Sequence, residues 1–284
     1  MESILLIDGR RLAYAQYGDP GGRPLFLFHG IPGSRIFRPP LDDLTAHKHV
    51  RLITADRPGY GGSDFQPGRR IADWPADVLQ LADRLRLDRF AVCGHSGGGP
   101  YALACARFIP ERLTAAGVIS GLGPPDSPGM LDGIIPLNRL GFTVGGRLPW
   151  PLFRSAMGFV YRRARDHPEE YVHPDRRNPA NPDNAMLAMP DAQRICHEST
   201  REAFRKGMIG HVWEGFLLVH PWGFSLGGIQ MAVDLWHGMD DIDAPIGMGR
   251  AIAGAVPQCR VRFLEGEGHL LIFKHWGEIL DALT

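Results

Sequence analysis

The chain has 284 residues, with 31 Lys plus Arg against 31 Asp plus Glu and a formal charge of zero. That balance excludes a general nucleic-acid binder, which needs a basic footprint on phosphates, and gives no support to a polybasic membrane anchor. Hydrophobic residues at 44% and charged residues at 22% exclude wholesale disorder and suit one large domain or a domain with an insertion.

The start, Met1 to Gly9, lacks the basic lead and apolar run of a signal peptide. No stretch approaches the ~20 apolar residues of a membrane span. A cytoplasmic chain is expected, with Cys93, Cys105, Cys196 and Cys259 as reduced thiols, since they form no CxxC pair. Ile4 to Ile7 and Arg11 to Tyr17, around Asp8-Gly9, predict an antiparallel hairpin at a sheet edge. Apolar runs that end at a glycine then recur: Leu25 to Phe28, Arg51 to Ala55, Phe90 to Cys93, Ala115 to Ile119, Met231 to Trp236 and Val261 to Leu264. Near-continuous apolar runs of this length predict strands buried on both faces of a parallel sheet.

Helical patterns lie between them. Val78, Leu81, Ala82 and Leu85 share one helical face, and Gly99 to Ala106 is Ala-rich, with Pro100 acceptable in a first turn. Leu270 to Leu283 predicts a closing helix. The fold class is therefore α/β, a mostly parallel central sheet flanked by helices. The alternation stops between Gly123 and Ser225, a stretch rich in Pro, Met, Trp and Phe and too long for a loop. A mainly helical cap over 123–225 is expected, inserted between a first core part at 1–122 and a second at 226–284. Arg162, Arg163 and Arg165 are expected on a solvated helix face.

The pattern G-x-S-x-G occurs twice, around Ser96 and around Ser225. A nucleophile elbow needs a strand before it and a helix after it. Ser96 has Phe90 to Cys93 before it and Pro100 to Phe108 after it, whereas Ser225 precedes Ile229 to Trp236, which reads as a strand. Ser96 is thus the candidate nucleophile and Ser225 a linker residue. A serine hydroxyl needs an adjacent base. His269, just past the last strand, stands where sites in open α/β sheets gather. Asp240, Asp241 and Asp243, after the preceding strand, are the candidate acids. The order Ser, Asp, His is the one expected on this architecture.

The segments His29-Gly30-Ile31-Pro32-Gly33-Ser34 and Asp56 to Asp64, the elbow at Ser96, Gly238 to Pro245 and Gly268-His269 together resemble the α/β-hydrolase superfamily, in its capped group of esterases, lactonases and carbon–carbon bond hydrolases. The resemblance covers nearly the whole chain except the cap. It implies a Ser96, Asp241, His269 triad, because the spacing G-x-x-D-x-x-x-P falls on Gly238, Asp241 and Pro245. It also implies an oxyanion hole from the backbone N–H groups of Ile31 and Gly97. The elbow has a serine where dehalogenases and epoxide hydrolases need an aspartate.

No cofactor and no metal are expected. The partner is a small, mostly apolar, ester-like molecule, neither nucleic acid nor membrane, and the chain is expected as a monomer or homodimer. Trp213, Phe216, His220 and Met157 are the candidate substrate contacts, with Trp150, Phe153 and Phe159 in reserve. Arg35 is a candidate for a substrate carboxylate. Asp234 falls inside an apolar strand run and needs a polar partner, for which a contact to the cap is one candidate. The expected activity is hydrolysis of a carboxylic ester or lactone. Carbon–carbon cleavage of a diketone, or ligand sensing on a hydrolase scaffold, are the alternatives.

Overall fold

The structure is a computed structural model that describes residues 1–134, 136–167 and 178–284; the side chains at 136–138, 159–161, 163 and 164 lie outside the described residues. Phe159 and Arg163 therefore fall outside it, while Arg162 and Arg165 are exposed. Eight strands form one sheet in the order β1-β2-β4-β3-β5-β6-β7-β8. They are β1 (Glu2–Leu5), β2 (Arg11–Gly18), β3 (Arg23–Phe28), β4 (Val50–Ala55), β5 (Phe90–His95), β6 (Leu113–Ile119), β7 (Val233–Gly238) and β8 (Cys259–Leu264). The β1–β2 hairpin and the β2–β4 pair are antiparallel, and every later pairing is parallel.

The apolar runs became strands because both faces of the sheet are covered. One face carries α2 (Trp74–Arg84), α3 (Gly99–Phe108) and α9 (Ile246–Ala255). The other carries α1 (Asp42–His47), α10 (Leu271–Lys274) and α11 (Trp276–Leu283). In α2 the buried residues Trp74, Val78, Leu81 and Ala82 form the stripe that the helical period predicts. The expected single closing helix is two. His275 sits at φ −98°, ψ 14°, and this break lets both Phe273 and Trp276 bury, with the Trp276 indole donating to Thr45 Oγ1 at 2.9 Å.

The other correction concerns Asp234. It is 1% exposed on β7, and its partners come from the neighbouring edge strand rather than from the helical stretch: Arg260 and, at 2.9 Å, Arg262. Parallel register places Asp234 opposite Arg260, so alternation along β8 puts both arginines in reach of one carboxylate. β7 begins at Val233, later than the run from Ile229 suggested, because residues 226–228 form a short 3-10 turn.

Between β6 and β7 the described elements are all helical: α4 (Pro136–Thr143), α5 (Trp150–Asp166), α6 (Asp183–Leu187), α7 (Pro190–Ala203) and α8 (Ile209–Val219). Cys93, Cys105 and Cys196 are buried, Cys259 is half-buried, and none is in a disulfide. No described helix is long and apolar enough to cross a membrane.

The strand-to-helix turn after β5 is the tightest place in the sheet. Ser96 takes φ 54°, a left-handed conformation that a non-glycine residue rarely adopts. A methyl group on Gly98 would lie 2.2 Å from the Phe28 carbonyl oxygen, and one on Gly94 would lie 2.1 Å from the Gly98 carbonyl oxygen. The turn closes only because those side chains are absent. Gly98→Ala is expected to cost about 3 kcal/mol of stability in urea unfolding, since backbone has to move. Gly254→Ala, in α9 with nothing within 4 Å of the added methyl, should instead stabilise by about 0.5 kcal/mol.

Candidate active site

The carboxyl ends of β3, β5, β7 and β8 bring the candidate residues together. Ser96 follows β5 directly and is 7% exposed. Gly30, in the loop after β3, faces it: a methyl there would sit 3.2 Å from Ser96 Cβ. Gly97 opens the turn into α3 and packs on Ile31, whose Cγ2 would be 2.7 Å from a Gly97 methyl. The two expected oxyanion residues are therefore neighbours. Ser225, by contrast, is exposed and has no strand before it.

His269 stands beyond β8. Its Nδ1 bonds Asp241 Oδ2 at 2.8 Å. A carboxylate only accepts, so the proton sits on Nδ1, and Nε2 is the nitrogen that can take one. Asp241 Oδ1 accepts the N–H groups of Asp243, at 2.9 Å, and Ala244, at 2.8 Å, which fix the carboxylate; against its burial, the charge and hydrogen bond of His269 hold its pKa low. Asp240 is exposed and accepts from the Gly266 N–H instead, so the competition among the three acids is resolved by geometry. The Asp241 charge and hydrogen bond push the His269 imidazole above its ordinary value, against the effect of burial. His95 donates from Nε2 to the His269 carbonyl at 3.0 Å and stacks on Phe37; burial drives its pKa down to about 3, so it stays neutral. His29 is likewise buried and held well below the ordinary value by desolvation and by Arg57.

A buried ionic cluster lies beside this constellation, and sequence reasoning missed it. Arg57, with no exposed side-chain surface, donates to the carbonyls of His29 and, at 3.0 Å, Gly30. Its Nε also meets both carboxylate oxygens of Glu214 on α8, each at 3.0 Å. Arg69 closes the cluster, bonding Glu214 Oε2 and the Tyr101 hydroxyl, each at 2.8 Å. The two guanidinium groups hold the Glu214 carboxyl down at about 2 despite complete burial. The signal that would have found it is compositional: Glu214 is the one acidic residue in the apolar helix Ile-Gly-His-Val-Trp-Glu-Gly-Phe-Leu-Leu-Val.

Arg35, a candidate for a substrate carboxylate, is already engaged. It is 8% exposed and pairs with Asp56 at 2.6 Å and with Glu202 of α7 at 2.7 Å. The Asp56 to Asp64 segment is the strip on which α7 and α8 rest. Lys206 donates to the Gly62 carbonyl at 3.0 Å, and a methyl on Gly59 would lie 2.7 Å from Gly210 Cα.

The expected substrate contacts divide by helix face. Glu214 and Leu218 of α8 point to the core, Leu218 Cδ1 lying 3.4 Å from where a Gly97 methyl would be. Trp213, Phe216 and His220 occupy the adjoining face with Trp150 and Phe153; ring centroids are 4.5 Å apart for Trp150–Trp213 and 4.0 Å for Phe216–His220. Met157 lies half-buried on α5. Leu218 was not singled out from the sequence.

Residues 23–143 match the family model described as the alpha/beta hydrolase fold. Over 134 residues, 44% of this chain and 46% of the relative, the sequence is 34% identical to a non-heme chloroperoxidase of Streptomyces lividans. Over 135 residues, 45% of this chain and 35% of the relative, it is 33% identical to the dihydrolipoyllysine-residue acetyltransferase component of an acetoin cleaving system of Pseudomonas putida. Each match spans less than half of the relative's length. Among solved structures, Est816, an N-acyl homoserine lactone degrading enzyme, superposes with a TM-score of 0.64 at 20% identity, over 99% of both chains. The sequence match to the alpha/beta hydrolase fold is confined to residues 23–143, and the fold of the chain as a whole is that of the solved hydrolases on which it superposes.

Removing one partner from a fully buried ion cluster leaves an uncompensated charge, typically at a cost of about 3–5 kcal/mol. Glu214→Gln should lose stability of that order in chemical unfolding at pH 7. The wild type carries a matching pH dependence. The Glu214 pKa is depressed on folding, so its contribution is complete above the ordinary glutamate value of 4.5 and is lost as pH falls towards about 2. The Glu214→Gln variant should lack that share of the acid sensitivity in the same titration.

Proposed function

We propose that the chain is a serine hydrolase that cleaves a carboxylic ester or lactone through an acyl-enzyme. The observation that carries the reading is the His269–Asp241 hydrogen bond of 2.8 Å at the carboxyl end of the sheet that also presents Ser96 at φ 54°. Ser96 Oγ attacks the carbonyl carbon while His269 Nε2 takes its proton. The carbonyl π pair moves onto oxygen, where the Ile31 and Gly97 N–H groups receive the charge; one such donor is typically worth ~10²–10³ in rate. The C–O bond to the leaving group then breaks, with the proton returned from His269 to the departing alkoxide. Water enters by the same route, loses its proton to His269 and releases the acid. Asp241 holds the Nδ1–H tautomer and offsets the imidazolium charge.

We assign residues 123–225 to a cap over a core formed by 1–122 and 226–284. Leu218 forms the cap wall nearest the oxyanion site, and Trp213, Phe216, His220 and Met157 are the apolar surface further out. The ester or lactone reading is favoured over cleavage of an anionic diketone because Arg35, Arg57 and Arg69 all face carboxylates of the protein itself. The lactone-degrading activity named for Est816 points the same way.

Wild-type protein should react covalently with a fluorophosphonate and hydrolyse short nitrophenyl esters, and Ser96→Ala should do neither. Failure of the folded wild type to label, or equal turnover by the variant, would sink the assignment. Because the neighbouring carboxylates raise the His269 pKa, ester hydrolysis should increase with pH along a limb whose midpoint lies above the ordinary histidine value of 6.5. A rate that is level from pH 5 to 9 would contradict His269 as the base.

A further inference from the structure

We propose that Asp183, a residue of the helical segment between β6 and β7, is a positioning residue for His269 and so makes the base dependent on where that segment sits. The proposal rests on His269 being the base. Asp183 lies 86 residues before His269, yet its Oδ2 accepts the His269 backbone N–H at 3.0 Å. Its Oδ1 accepts the next N–H, that of Leu270, at 2.7 Å. The carboxylate is 5% exposed, so water competes poorly for these charge-assisted bonds. Gly268 leaves room for it: a methyl there would lie 2.5 Å from Asp183 Oδ1. Asp183 is itself held at the start of α6, where its N–H donates to Asn181 Oδ1 at 3.0 Å.

With this contact three of the polar groups of His269 are committed. Nδ1 goes to Asp241, the backbone N–H to Asp183 and the carbonyl to His95. Nε2 is the group that remains for chemistry, and its direction follows from the other three. The same carboxylate acts on the charge of the imidazole. The groups facing His269 are Asp241 and solvent-exposed Asp243 from the loop after β7, Asp183 from α6, His95 from the end of β5 and His237 on β7. Burial keeps both histidines neutral, so the carboxylates set the charge on the imidazole: Asp241 most strongly, then Asp243, then Asp183, which alone among them also holds the His269 backbone. Asp183 also ties down the two backbone N–H groups just ahead of the four-residue helix α10, and that alone would be a purely structural role.

The two roles separate in the reaction of Ser96 with a fluorophosphonate, followed as a function of pH beside thermal unfolding. Asp183→Asn keeps the shape but sets an amide N–H against one of the two backbone donors and removes the charge. It should slow the reaction about tenfold on the pH plateau and move the acid limb down by about one pH unit. Asn181→Ala keeps the charge and frees the start of α6, so it should slow the reaction with the limb unmoved. Variants that lose stability yet keep the wild-type plateau and limb would leave Asp183 as a purely structural tie of the 269–270 backbone and overturn the proposal. If Asp183→Asn does not fold, an unchanged plateau in Asn181→Ala overturns it. A wild type inert to the probe refutes the role of Ser96 instead. Asp183 is then judged by NMR titration of the His269 imidazole, where an unmoved midpoint in Asp183→Asn overturns its effect.

Discussion

Arg57 has no exposed side-chain surface, and a guanidinium cannot shed its proton to escape burial. Every donor it carries must therefore meet an acceptor, and the acceptors it meets define the site. Two are carbonyls of the loop that presents Ile31, and the rest are the oxygens of Glu214 on α8. One side chain thus fixes both the loop that carries the proposed oxyanion donor Ile31 and the seat of α8. Arg69 supplies the second positive charge that keeps Glu214 ionised, and its bond to Tyr101 ties the cluster to α3, the helix that Ser96 leads into. Such a cluster is a weak source of net stability, because desolvation offsets most of the attraction. Its effect is on geometry: few arrangements satisfy all of these groups at once.

The second set of constraints acts on His269. Asp241 reaches it from the sheet and Asp183 from the helical segment. The proposed nucleophile, base and oxyanion donors therefore each sit just beyond a strand end. His269 is braced by Asp183, 86 positions away, and the loop before Ile31 by Arg57, which is itself held by Glu214, 157 positions further on. Glu202 on Arg35 and Ser199 on the Ser34 N–H add further bonds from α7 to the same loops.

Much of the architecture was legible in the amino-acid order. The strands announced themselves because both faces are buried, which removes polar residues from the run, and glycines mark where each strand must turn. Ser96 was separable from Ser225 because only the former has a strand before it and a helix after it. The choice of Asp241 came from a resemblance, since three acids within four residues are equivalent by spacing alone. Glu214, Asp183 and Leu218 were not legible as site residues. A long-range ion pair leaves no periodic trace, and Asp183 stands in an Asn-Pro-Asp-Asn stretch that looks like any turn. Asp234 was visible as an anomaly. Its partners were not, because strand order and register decide which arginines lie beside it. The break at His275 was hidden by apolar residues that continue on both sides of it.

Helix α8 and its C-cap residue carry two mutational regimes on about two turns of backbone. Positions 213, 214 and 218 press on Arg69, Arg57 and the Gly97 turn, whereas 216 and 220 touch other aromatic rings of the same segment. A library aimed at new substrates can therefore randomise the second set with the machinery undisturbed. Transplanting a foreign lid between residues 122 and 226 is a different undertaking. The graft would have to return an acid to the place of Glu214 and another to the place of Asp183. Without them the recipient would inherit two unpaired arginines and a histidine with one tether fewer.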